Sequence, residues 1–523
     1  MTESNHASPQ TGRAACCPRS DQRSADAGLS RRQFLEGVGG VALAGVALTG
    51  CSWSALSIRR PETPAAPARR PLTVKPILLY STYTARAQTS WRSWGGIQTE
   101  EQADEEAGRI RGELAALESA ADFPVRFLPL AAIRGRAELA SAGDVASADA
   151  LLVYAAGTDT SDLNAIADLK KNTVFFVRHR SGPVYLWYEI ISPRFLRQHT
   201  DEQVVAGITA QDVVVDSQDE ILWRLRSLCG LRNTVGSRIL AVGGPDAWAQ
   251  PPGVVPQLVR ERWKLDIRTI SYKDLGQLIG EARKDQRAVA RARQRAGAYL
   301  KLPHTQLETQ KPFVENAFLL EQVFVALMQE ADCRAITING CMGTIMPIAE
   351  TSACLTLSLL NDAGYLAFCE SDFVVIPSGI LMGSISGRPT FLNDPTFPHD
   401  GVITLAHCTA PRRMDGKGLE PVRILTHFES DYGAAPKVEM RKGQTVTMVA
   451  PDFAAKRWVG LKGEIVDSPF LPICRSQIDV RFQCDSALLA ERMPGFHWML
   501  VYGDYCREIG YALRRIPIEW ERL

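Results

Sequence analysis

Apolar positions recur along this chain in two rhythms, and the change from one to the other divides it. From Pro76 onward, short apolar runs of strand length alternate with stretches whose apolar residues fall at helical spacing. Residues 77–83 form one such run, ending in a polar loop that carries Trp91 and Trp94. Residues 99–121 (TEEQADEEAGRIRGELAALESAA) open with an acidic turn and place Ile110, Leu114 and Leu117 on one face, which predicts a helix. Strands are expected at 125–130, 150–154 and 173–177. A second unit begins near Arg238, where an apolar run enters a turn at Gly243-Gly244; with no third glycine, this is a turn and not a dinucleotide fingerprint. A helix over 311–331 then feeds a strand at 335–338. Such alternation predicts an α/β fold of Rossmann-like, doubly wound parallel sheets.

The last hundred residues lose the helical rhythm. Residues 422–428, 444–449 and 477–482 alternate with a period of two between glycine-containing turns, and one late helix is expected near 505–514. The expected organisation is therefore an N-terminal α/β domain at 77–235, a second α/β domain at 236–420 and a β-rich C-terminal domain at 421–523.

Ahead of these lies a different kind of segment. Residues 1–29 are polar and small, without apolar periodicity, and are expected to be disordered. Ser30-Arg31-Arg32-Gln33-Phe34-Leu35 then precedes an apolar, glycine-rich stretch ending Leu48-Thr49-Gly50-Cys51. The paired arginines resemble a twin-arginine export signal, and the ending resembles a bacterial lipobox. Together they imply export, with Cys51 lipidated and the protein anchored on the periplasmic or cell-surface side. Residues 52–76, rich in Pro, Ala and Arg, read as a tether. The membrane is expected to be contacted only through the lipid.

Composition changes little in this picture. Lys plus Arg number 59 against 58 for Asp plus Glu, a net charge of +1, which points to no nucleic acid partner. The one basic run, 283–295, carries Ala and Val at helical spacing and reads as a solvated helix face. Of 12 cysteines, none forms a CxxC pair, so buried thiols are expected rather than a disulfide scaffold or a zinc-finger spacing.

Chemistry concentrates between Gly340 and Met414. Glu350 is expected to open a helix at 351–360, where the helix dipole favours a carboxylate. Glu370-Ser371-Asp372 follows an apolar strand at 365–369, and His407 follows another at 402–406. Ligands of open α/β sheets bind at the C-terminal ends of strands, so acidic groups at successive strand ends can converge on one cation. Each residue alone has a plainer role: Glu350 as a helix cap, His407 as a core histidine, Cys369 and Cys408 as walls. The segment 179–189 (HRSGPVYLWYE) combines groups that suit a sugar, and ordinary core and loop roles explain it equally well.

The run Glu370-Ser371-Asp372, with Ile380-Leu381-Met382-Gly383 and Leu392-Asn393-Asp394 after it, resembles the metal-binding region of the L-fucose isomerase family. The C-terminal Gly495-Phe496-His497 and Arg515-Ile516-Pro517 resemble that family's ending. The resemblance spans roughly residues 310–523. It implies metal ligands at Glu350, Asp372 and His497, with Glu350 and Asp372 also moving the substrate proton. The related L-arabinose isomerases add a histidine, whose place His407 would fill. Two carboxylates with one or two imidazoles suit Mn²⁺, with Mg²⁺ or Co²⁺ as substitutes. The implied reaction is aldose–ketose interconversion of a small sugar through an enediol. The chain is shorter than a typical fucose isomerase, so a neighbouring copy in a homo-oligomer is one way to cover the substrate. Export of an isomerase is unusual, which keeps two rivals open: another metal-dependent reaction on a sugar or glycoside, and a non-catalytic sugar-binding lipoprotein.

Overall fold

The computed structural model describes residues 66–523 except 93, 158 and 186–189. The export signal, Cys51 and most of the tether lie outside the described residues. Strands are numbered in chain order. The first sheet contains β1 (Leu72–Leu79), β2 (Val125–Phe127), β3 (Ala131–Ile133), β4 (Ala150–Ala155), β5 (Asn172–Val177) and β6 (Val213–Val215). Its order is β2-β1-β4-β5-β6, with β2 on the first half of β1 and β3 on the second half. Every pairing is parallel. All residues of β1 and β4 are buried, as expected where helices cover both faces of a parallel sheet. One covering helix, Glu100–Ala120, starts at a capping box in which Thr99 and Gln102 each satisfy the other's backbone N–H.

The second sheet is also parallel, with order β11-β10-β7-β8: β7 (Arg238–Val242), β8 (Asp266–Ile270), β10 (Ala335–Ile338) and β11 (Leu366–Cys369). The basic run lies on the helices Tyr272–Lys284 and Gln286–Tyr299. Ala288, Ala292 and Ala296 face inward there and Arg287 and Arg293 are exposed, but Arg283, Arg291 and Arg295 are half-buried, Arg295 paired with the buried Glu321, so the run is a solvated face only in part.

Six antiparallel strands then close a barrel. They are β12 (Phe391–Pro395), β13 (Val402–His407), β16 (Thr445–Pro451), β17 (Arg457–Asp467), β18 (Ser476–Phe482) and β19 (Trp498–Tyr502). Their order is β16-β19-β12-β13-β18-β17, and a β16–β17 pairing completes the ring. β20 (Glu519–Arg522) adds to β17, while β9 (Thr305–Leu307), β14 (Val422–Leu425) and β15 (Ala435–Val438) form a small flanking sheet. The fold is thus mixed α/β, with two parallel sheets and a C-terminal antiparallel barrel. The barrel starts at Phe391, ahead of the boundary expected at 421. An apolar run such as β13 looks the same in sequence whether its neighbours are parallel or antiparallel; here it pairs with β12 and β18. Among the described residues no single helix is long and apolar enough to cross a membrane.

Candidate metal centre

The barrel meets the second sheet at the end of β11. Glu370 and Ser371, directly after that strand, both take left-handed backbone conformations, with φ of 63° and 46°. Two such residues in a row are costly for side chains with a Cβ and persist where the surroundings hold them. Ser371 N–H donates to Thr337 Oγ1 at 3.1 Å, and residues 371–373 bridge to Asp246 in the loop after β7. In an extended strand, residues 370 and 372 would face the same side. The left-handed turn separates them, sending Glu370 to the front of the site and Asp372 behind it.

Four side chains face one another at this junction. His497 Nε2 lies 3.4 Å from Glu370 Oε2 and 3.3 Å from Asp394 Oδ1. His407 Nε2 lies 3.7 Å from Glu370 Oε1. Ligand atoms of Asp394, His407 and His497 all fall within 4.8 Å of one another. Asp394 comes from β12, His407 ends β13, and His497 precedes β19, so three adjacent barrel strands supply three of the four groups. Gly495 makes the approach of His497 possible. It is left-handed at φ 70°, and a Cβ there would stand 2.2 Å from the Pro451 carbonyl oxygen. Phe496 stacks flat on Trp248, with ring centroids 3.6 Å apart, tying the same segment to the second sheet.

Both imidazoles are held by the far nitrogen. His497 Nδ1 is 2.7 Å from Asp372 Oδ2, and His407 Nδ1 is 3.1 Å from Thr409 Oγ1. Asp372 is itself fixed by N–H donors from Val374 at 3.0 Å and Trp248 at 3.3 Å. With Nδ1 engaged in this way, Nε2 is left to present its lone pair to the centre, the arrangement typical of metal-ligating histidines. His497 Nε2 and Asp394 Oδ1 are buried and, although 3.3 Å apart, form no well-aligned hydrogen bond, an arrangement that a cation between them would complete. The histidines are enclosed, whereas Glu370 and Asp394 keep 24% and 27% of their side-chain surface. The centre is therefore reached from the carboxylate side.

The charges are interdependent. Burial pushes the Glu370 carboxyl up, but the facing imidazoles of His407 and His497 outweigh it and hold it well below the usual carboxylate range. Asp394 is pushed upward, chiefly by burial. Burial alone would lower both histidines; the Asp372 and Glu370 carboxylates instead raise His497 well above its ordinary value, and Glu370 with Asp394 raises His407. Two carboxylates and two oriented imidazoles form a donor set of borderline hardness that could hold a divalent ion.

Of the expected ligands, the structure brings His407 and His497 together. It gives Asp372 a different place: wholly buried, bonded to His497 Nδ1 behind the centre, and so a supporting carboxylate. Glu350 does not join them. It follows a helix rather than opening one, capping Cys341–Ala349 in a left-handed conformation at φ 52°, and the next helix begins at Cys354. Its side chain is 59% exposed and pairs with Arg283 at 2.9 Å. The carboxylates that face the centre are Glu370 and Asp394. Both lay inside recognisable segments, and the signal for Glu370 was its position immediately past a strand end. Of the segment 179–189, residues 186–189 lie outside the described residues and the rest is engaged elsewhere: N–H groups of His179, Arg180 and Ser181 donate to Asp216, and Tyr185 packs with Arg178 and Glu106. No protein-family model matches this chain, and no curated protein gives a significant match.

Proposed function

We propose that this protein is a metal-dependent sugar isomerase-like enzyme that interconverts an aldose and a ketose at the Glu370–Asp394–His407–His497 centre. The observation that carries the reading is the convergence of two Nε2 atoms, each oriented through Nδ1, on two accessible carboxylates with an orphaned oxygen between them. Glu370, Asp394, His407 and His497 would hold a divalent ion, with Mn²⁺ suited best and Mg²⁺ or Co²⁺ as substitutes. That ion would supply Lewis-acid stabilisation of the negative charge that develops on adjacent sugar oxygens.

The protein's own groups divide the remaining work. Glu370, engaged by both imidazoles, stays ionised and serves as a ligand. Asp394 is the better proton carrier, because burial raises its pKa and its Oδ1 makes no well-aligned hydrogen bond. It would take the proton from one substrate carbon and return it to the neighbour. Asp372 holds the His497 ring in orientation, and Trp248 stacked on Phe496 closes the wall beside it.

This reading keeps the kinship with L-fucose and L-arabinose isomerases as a proposal, with the ligand positions revised. The two parallel sheets are read as doubly wound, Rossmann-like units, supported by their non-sequential strand orders with crossover helices. Export through the twin-arginine signal and lipidation at Cys51 complete the proposal. The test is a screen of free aldoses and ketoses with metal-stripped protein, with and without Mn²⁺. Metal-dependent interconversion, with solvent deuterium entering the product at the reacting carbon, is expected. Mn²⁺ binding without turnover on any free sugar would overturn the enzyme reading in favour of a sugar-binding lipoprotein.

A further inference from the structure

Immediately beyond His407, a second group of metal-competent side chains is buried against the barrel. Cys354 is the first residue of the helix Cys354–Asp362, Cys408 follows β13, His427 follows β14, and Cys474 precedes β18. Ligand atoms of Cys354, Cys408 and His427 all lie within 4.8 Å of one another, and these three residues are buried. Cys474 packs against the same cluster, and Cys354, Cys474 and His427 all lie beside the Cys408 thiol. No disulfide joins the described cysteines.

We propose that Cys354, Cys408, Cys474 and His427 form a Cys₃His site for a structural zinc ion, separate from the oxygen-and-nitrogen centre and independent of the isomerase reading. Three thiols and an imidazole are the donor set of closed, four-coordinate structural zinc sites. With bonds of about 2.3 Å to sulfur, a tetrahedral ion sets its ligand atoms about 3.8 Å apart, so Cys354, Cys408 and His427 need only a modest contraction, and Cys474 would close in from the packed side as the fourth ligand. His427 is oriented for it: Nδ1 lies 3.2 Å from Ser430 Oγ, leaving Nε2 as the ligand nitrogen. Binding displaces the three thiol protons to solvent, and the ion takes up the resulting thiolate charge.

The site also has a structural task. The loop holding His427 presses on the start of the Cys354 helix so closely that a Cβ at Gly433 would lie 2.2 Å from the Ser352 nitrogen. Ser352 Oγ and Leu355 N–H both donate to the Ala434 carbonyl. An ion here would clamp one helix and three loops at the end of β13. Because Cys408 follows His407 directly, the clamp would fix the position of His407 in the neighbouring centre.

X-ray absorption at the zinc edge tests this on the full chain, expressed with zinc and then given excess Mn²⁺ to fill the other centre. The expected result is about one equivalent of zinc with three sulfur neighbours near 2.3 Å and one nitrogen near 2.0 Å. Cys354→Ser and Cys474→Ser should each replace one sulfur neighbour by a lighter atom or release the ion. Zinc with only oxygen and nitrogen neighbours, protein free of zinc, or alkylation mapping that finds two of these cysteines joined in a disulfide would each overturn the proposal. The wild-type spectrum decides the matter even if a variant does not fold.

Discussion

Two clusters of ligands meet at the end of one strand, and they differ in almost every respect that matters for chemistry. His407 ends β13 and Cys408 is the next residue along the chain, and each joins a different cluster. On one side, Glu370, Asp394, His407 and His497 offer hard and borderline donors, with carboxylates open to solvent. On the other, three cysteines and His427 offer soft donors, with no comparable carboxylate access. An open site with oxygen ligands can admit substrate, whereas a closed site with sulfur ligands can only hold the fold together. On the proposed reading, reaction belongs to the first cluster and structure to the second.

The largest effect that separates them should come from the open centre itself. Glu370→Gln and His497→Ala are expected to reduce Mn²⁺-dependent sugar turnover to background, because each removes a ligand, while the zinc content measured by elemental analysis stays unchanged. Parallel loss of zinc in these variants would show that the two clusters are one site. Asp372→Asn is next. It keeps the shape behind His497 but weakens the hydrogen bond that orients the ring, so a fall of about 10–100-fold in Mn²⁺ affinity or activity is expected, read by titration calorimetry. Unchanged affinity would make Asp372 a packing residue. Cys474→Ser should do the reverse of Glu370→Gln, lowering the melting temperature by a few degrees with a smaller loss of turnover per folded molecule.

A pH series sharpens the contrast further. His407 and His497 have pKa values raised in the metal-free protein, and a metal needs both neutral. Mn²⁺ affinity should therefore climb as pH rises through those raised values, with protons released on binding. The sign for stability is opposite. A group whose folded pKa is raised contributes stability that is complete below its unfolded value near 6.5 and is lost as pH passes the folded value. Metal-free protein should melt progressively earlier from about pH 6.5 upward, and Mn²⁺ should remove most of that decline. Melting curves with equal slopes in the two forms would argue against histidine ligation.

The smallest effect is the most pointed. Glu350→Ala should leave activity unchanged and cost at most about 1 kcal/mol, since it breaks only a surface ion pair with Arg283. Abolished activity would return Glu350 to the reaction.

How the sequence informs each of these residues depends on what their chemistry requires of the chain. The alternation of strands and helices was legible because burial on both faces writes β1 and β4 as unbroken apolar runs. His497 was reached only through the resemblance of Gly495-Phe496-His497 to the isomerase family's ending, and the close approach at Gly495 that brings it to the centre is visible only in the fold; His407 was legible through its place at a strand end. Glu350 misled because a carboxylate ahead of an apolar helical run looks like a first-turn acid; the left-handed residue and the gap before Cys354 depend on backbone conformation, which residue spacing does not report. The exchange of roles between Glu370 and Asp372 has the same origin, two consecutive positive φ angles. The cysteine cluster was hidden for another reason: its members come from a helix and three separate loops, so no short spacing records them.

The central claim is that Glu370, Asp394, His407 and His497 share one divalent ion. Anomalous diffraction from crystals of the metal-stripped protein soaked in Mn²⁺ tests it most directly. The account predicts a single strong manganese peak about 2 Å from His407 Nε2 and His497 Nε2 and from oxygens of Glu370 and Asp394. A peak on Glu350, or none at this junction, would contradict it.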